Sequence, residues 1–186
     1  MKNVLIVSGH PELNTSIANQ TILSEVAQAL PEAEIRRLDT LYPDYKFDIA
    51  AEQAALLKAD VIVFQFPFSW YSMPGLMKLW LDQVFLHGFS HGSKGKLGGK
   101  KLILSFTTGA PVAAYQKDGV MKHTIDDYIP QFETTATLCG LDFQEPIYTN
   151  GISYTARNDE ATINAQRELA KDHAARLIAN IKAVAA

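Results

Sequence analysis

Short apolar runs rich in β-forming residues alternate with helical stripes along the whole chain, and this alternation limits the fold more than any other feature. Strands are expected at 2–8, 34–38, 60–66, 100–107 and 143–148. Between them lie helical patterns at 16–30, 49–58, 75–85 and 123–139, and an Ala-rich helix at 160–184 closes the chain. The stripe at 16–30 carries Ile17, Ile22, Leu23, Val26 and Leu30, a spacing that suits one buried helix face. Strands alternating with helices predict βαβ units, hence an α/β fold with a doubly wound parallel sheet and helices on both faces. Right-handed crossovers and a central first strand favour a five-stranded sheet in the order 2-1-3-4-5. No linker, repeat or shift of composition divides residues 1–186, so one domain is expected.

Composition removes several function classes. A net charge of -3 argues against nucleic-acid binding, which calls for a basic face. The single cysteine, Cys139, allows no intrachain disulfide, fits a reducing cytoplasm and reads as a small buried hydrophobe. The apolar run after Met1 is too short for a secretory core or a membrane span. No metal site is expected: His87 and His91 have helical spacing, but Gly88 and Gly92 disfavour a helix and no third ligand lies near.

In a 2-1-3-4-5 sheet the ligand crevice opens at the carboxyl edge beside strands one and three. Three loops meet there. The first, 9–19, feeds Thr15, Ser16 and Asn19 into a helix start, a setting in which backbone N–H groups take an anion; Thr15 or Ser16 also suits a simple N-cap. The second is Pro67-Phe68-Ser69-Trp70-Tyr71-Ser72-Met73-Pro74, whose aromatic residues between prolines form either a flat wall for a planar ring or a hydrophobic plug. The third, Thr107-Thr108-Gly109-Ala110-Pro111, lets the backbone approach a ligand closely at Gly109.

These loops, with Gly9-His10-Pro11, Ser16-Ile17-Ala18-Asn19, Asp48-Ile49-Ala50-Ala51-Glu52-Gln53 and Leu138-Cys139-Gly140-Leu141, resemble the flavodoxin-like NAD(P)H:quinone reductase family. That family includes the ancillary flavoproteins of glutathione-gated potassium efflux systems. The resemblance implies a flavodoxin-like flavin-binding domain holding FMN, with FAD as the alternative and NAD(P)H as co-substrate. By match to the family motifs, His10, Ser16, Ile17, Ala18 and Asn19 would hold the flavin phosphate. Phe68, Ser69, Trp70 and Tyr71 would line the ring, and Thr107, Thr108, Gly109 and Ala110 would contact its pyrimidine edge. The implied reaction is two-electron ping-pong hydride transfer from NAD(P)H to a quinone.

The chain departs from the family pattern after the Thr-Thr-Gly loop. Tyr115 stands where the family has a catalytic tyrosine, but Met121 occupies the place of its histidine, with His123 two residues on as a substitute. Phe89 and His91, in a Gly/Lys-rich loop, match positions that line the substrate entrance together with Tyr115. The resemblance also implies a homodimer in the cytoplasm. Two functions stay open: a quinone reductase, or a regulatory subunit docked on a membrane potassium transporter at its inner face. A one-electron carrier of the flavodoxin kind would show a denser Ser/Thr-Gly loop and more acid.

Overall fold

A computed structural model describes residues 2–186. Its parallel sheet has the expected order 2-1-3-4-5. The first four strands in chain order are β1 (Val4–Ser8), β2 (Glu34–Arg37), β3 (Val61–Pro67) and β4 (Lys101–Thr107). The fifth position departs from the expected continuous strand at 143–148. It is shared by β5 (Asp142–Phe143) and β6 (Ile147–Thr149), both parallel to β4. Residues 144–146 lie opposite only two residues of β4, Ile103 and Leu104, so one extra residue bulges out. Pro146 stands in that gap, with no N–H to give to a ladder.

Among the described residues six α-helices complete the fold: α1 (Ile17–Ala29), α2 (Leu38–Leu41), α3 (Ile49–Lys58), α4 (Gly75–Val84), α5 (Pro130–Cys139) and α6 (Glu160–Val184). Alternate residues of the buried strands serve opposite faces. Ile6, Val61, Val63 and Ile103 pack with Ile22 and Val26 of α1 and Leu177 and Ile181 of α6. Leu5, Val7, Ile62, Phe64 and Leu104 pack with Leu56 of α3, Trp80 of α4 and Phe132 of α5. Cys139 is buried in α5, as expected.

The helix expected at 123–139 is shorter than its pattern. Thr124 opens a separate 3-10 turn, Ile125–Tyr128, with its amide and hydroxyl 2.7 and 3.1 Å from an Asp127 carboxylate oxygen. The α-helix then restarts at Pro130, whose missing N–H costs nothing at a first helical position. Gly140, at φ 67°, ends it in the left-handed region. No helix among the described residues is long and apolar enough to cross a membrane.

A buried carboxylate ties the flank of the sheet together. Glu52 of α3 is 1% exposed. Its Oε1 accepts from Arg36 Nε at 2.8 Å and Tyr42 Oη at 2.6 Å, and its Oε2 accepts from Trp80 Nε1 at 2.9 Å. One side chain therefore links edge strand β2 to α3 and α4. The Asp48–Gln53 stretch matched to the family in the sequence thus holds the scaffold rather than the crevice.

Candidate active site

The chain leaves β1 through Gly9, whose amide donates to the Gln65 carbonyl at 2.9 Å. A Cβ there would fall 2.5 Å from Met77 Sδ and 2.6 Å from Met77 Cβ, so only glycine lets the loop pass α4 this closely. The following 3-10 turn buries Leu13, whose amide donates to Asp39 Oδ2 at 3.1 Å. Arg37 reaches both Asp39 Oδ2 (2.8 Å) and Asn14 Oδ1 (3.1 Å), fastening the turn to the end of β2. Ser16 then caps α1, its Oγ accepting from the Asn19 amide at 3.1 Å.

His10 sits beside that helix start. Burial holds its pKa down at about 4, with Asp39 opposing and Arg157 reinforcing the shift. Its Nδ1 accepts from the Glu12 amide at 3.0 Å. The ring is therefore neutral near pH 7 and carries its proton on Nε2. A neutral N–H donor, the Ser16 hydroxyl and the first amides of a 13-residue helix converge on one end of a cleft.

That cleft has a volume of about 380 Å³, within the range of small-molecule sites. His10, Ser16, Ala18 and Asn19 line one end, and Phe68, Ser69 and Trp70 form a wall. Thr107 and Gly109 close the β4 side. The Pro67–Pro74 loop is partly plug and partly wall. Phe68 stacks on Phe106 at 5.2 Å and Met73 is buried, while Trp70 is 92% exposed. Trp70 and Tyr71 have φ of 47° and 67°. Ser69 and Ser72 exchange backbone hydrogen bonds of 2.9 and 3.1 Å around them. Two left-handed central residues are what a type I′ turn requires, and Asn-Gly is the sequence that normally supplies them. An exposed tryptophan in that conformation costs about 1–2 kcal/mol. Trp70→Asn is accordingly expected to stabilise the protein by about 1 kcal/mol, seen as a higher urea midpoint.

One wall was not anticipated from the sequence. Residues 150–159, after β6, bring Ile152, Tyr154 and Arg157 to the cleft. Arg157 Nη1 donates to the Thr15 carbonyl at 2.8 Å, which pins it beside the helix start. Its Nε is buried and bonds no protein acceptor. The legible signal was topological: this segment also leaves the carboxyl edge of the sheet, and Arg157 is its lone cation.

Other candidates lie elsewhere. Thr108 is buried, with its hydroxyl 2.9 Å from Asn150 Oδ1 and from the Ala110 carbonyl, and it stiffens the loop without lining the cleft. Ile17, Tyr71 and Ala110 also fall outside the lining. Tyr71 stacks on Tyr128 at 5.3 Å, with its hydroxyl 3.5 Å from Met121 Sδ. Tyr115 is 6% exposed and meets Phe68 edge-on at 6.5 Å, behind the wall. His123 is exposed, 3.6 Å from Asp127 Oδ2. Because the helix begins at Pro130, His123 is not at a helix start. Phe89 is buried, and His91 packs edge-on against His87 at 5.4 Å; neither lines the cleft of its own chain.

A family defined by a flavodoxin-like fold matches residues 2–174. The chain is 41% identical over 155 residues to the glutathione-regulated potassium-efflux system ancillary protein KefG of Cronobacter sakazakii, covering 83% of this chain and 82% of that one. It superposes on general stress protein 14 of Treponema denticola, solved in complex with FMN, with a TM-score of 0.84 and 33% identity, covering 95% of this chain and 98% of that one. An NADPH-quinone reductase of P. pentosaceus gives a TM-score of 0.73 and 26% identity, covering 94% and 96%. Fold, crevice and relatives agree, and the chain belongs to the flavodoxin-like NAD(P)H:quinone oxidoreductase family.

Proposed function

We propose that the cleft binds FMN and that the protein is an NAD(P)H:quinone oxidoreductase working by two-electron ping-pong transfer. The observation that carries this is the meeting of the α1 N-terminus, neutral His10 and the orphaned guanidinium Nε of Arg157 at one end of the crevice. That end suits a phosphate monoester, and the aromatic wall suits a planar ring. FMN, when bound, supplies an acceptor and donor of hydride between nicotinamide and quinone. His10 Nε2, the Ser16 hydroxyl and Arg157 would hold the phosphate. Phe68 and Trp70 would cover the ring and exclude water. The amide of Gly109 would present a fixed N–H dipole to an electron-rich ring edge. Thr108 keeps that loop rigid through the hydrogen bond its backbone N–H donates to the Thr149 carbonyl at 2.9 Å. Tyr115, with a hydroxyl pKa raised by burial, would support Phe68 from behind as a protonated phenol. A homodimer belongs to this proposal, with half-buried His91 at the entrance of the other subunit's cleft and Phe89 beneath it in the core of its own chain. FAD stays the alternative cofactor; FMN in the Treponema relative supports the first choice.

Initial rates at varied NADPH and menadione test the proposal. Parallel double-reciprocal lines are expected, and intersecting lines would contradict ping-pong transfer. The KefG relative supports a second reading, a regulatory subunit of a potassium efflux transporter. Flavin that NAD(P)H leaves oxidised, together with co-purification with such a transporter, would favour it.

A further inference from the structure

A buried chain of polar side chains runs from the floor of the cleft, through the sheet, to α6. The Asn19 amide nitrogen lies 3.2 Å from both Ser16 Oγ and Thr107 Oγ1, and Asn19 Oδ1 accepts from Gln65 Nε2 at 2.8 Å. Gln65 Oε1 bonds the Ser105 hydroxyl, and Ser105 Oγ is 2.8 Å from His173 Nε2. His173 Nδ1 is 3.0 Å from Thr149 Oγ1. Thr149 Oγ1 accepts from Arg176 Nη2 at 2.7 Å, at the outer end. Gln65, Ser105 and His173 are fully buried, and Asn19 is 3% exposed.

Amides, hydroxyls and a neutral imidazole each both donate and accept, so such a chain can run in either of two senses. Arg176 biases the choice: a guanidinium only donates, and its positive charge disfavours a second N–H, from His173 Nδ1, on the same Thr149 oxygen. With Thr149 accepting from Arg176, its hydroxyl proton goes to His173 Nδ1. His173 Nε2–H then donates to Ser105, Ser105 to Gln65, Gln65 to Asn19, and Asn19 to Ser16 and Thr107. Ser16 Oγ also accepts the Asn19 backbone amide. Its own proton, like that of Thr107, is left pointing into the cleft. In the opposite sense both protons turn inward to Asn19, and the cleft loses two donors. Burial holds the His173 pKa at about 3, which keeps the imidazole neutral and able to do both jobs.

We propose that Arg176, acting through His173 and the buried chain, is a positioning residue that aims the Ser16 and Thr107 hydroxyls at the oxygen atoms of the bound ligand. The proposal rests on the flavin reading of the cleft. Arg176 also meets Asp172 Oδ2 at 3.0 Å and the Tyr148 carbonyl at 3.2 Å, and its side chain is 43% exposed, so substitution leaves the core intact.

The test is FMN titration of the full chain by fluorescence quenching. Arg176→Met is expected to weaken FMN roughly tenfold, the scale of lost hydrogen bonds to a charged ligand. Arg176→Lys, still a donor only, should stay within about twofold of the parent. In a Ser16→Ala/Thr107→Val background, Arg176→Met should change affinity by less than about twofold, because the groups it orients are gone. If that background does not fold by circular dichroism, Thr107→Val alone serves, and the Arg176 effect should shrink there. Equal losses in both backgrounds, no loss in Arg176→Met, or an Arg176→Lys as weak as Arg176→Met would each overturn the proposal. A parent protein that binds neither FMN nor FAD overturns the flavin reading and this proposal with it. FMN binding that is indifferent to Arg176 overturns this proposal alone.

Discussion

Glu52→Ala is expected to lower the unfolding free energy by about 3–5 kcal/mol, the usual cost of removing one partner of a buried ion pair. Arg36, with a side chain 17% exposed, would keep its charge and lose its buried acceptor. A guanidinium is not deprotonated in proteins, so loss of its proton offers no relief. Trp80 Nε1, fully buried, would also lose its acceptor. For a chain of this length the loss corresponds to a drop in Tm of roughly 6–20 °C. Urea unfolding monitored by far-UV circular dichroism measures it, and a loss under about 1 kcal/mol would mean that water replaces the carboxylate at little cost.

The largest effect on ligand binding is expected at Arg157. Arg157→Ala should weaken FMN by about 10- to 100-fold, as charge-assisted hydrogen bonds to phosphate contribute roughly 1.5–3 kcal/mol. Riboflavin, which lacks the phosphate, should bind parent and variant alike. The contrast separates a phosphate contact from a general loosening of the 150–159 loop, which would weaken both ligands equally. The Thr15 carbonyl that Arg157 now caps is solvent-accessible, so its loss of a partner costs little.

Hydrophobic periodicity made the sheet order and most of the helices legible, because buried strands and amphipathic helices must each repeat with their own period. The bounds of α3 at Ile49–Lys58 match those expected from the sequence. Periodicity failed where one residue outweighs it. Pro146 divides the fifth strand, and the Thr124–Asp127 box with Pro130 shortens α5. Within the site, the α1 end of the cleft was readable because helix starts advertise themselves through residues such as Ser16 and Asn19. Tyr115 was readable by motif, but its place behind Phe68 depends on aromatic packing that spacing does not encode. His173 was invisible because its partners, Ser105 and Thr149, are distant in sequence and carry no motif, and Arg157 showed only as the lone cation of a segment leaving the same sheet edge.

The most direct measurement is an anaerobic spectral titration of the purified protein after incubation with FMN. The absorption of oxidised flavin should co-elute with the protein, bleach on addition of NADPH and return on addition of menadione. Protein that retains neither FMN nor FAD, or bound flavin that neither NADPH nor NADH bleaches, would contradict the assignment of this cleft to quinone reduction.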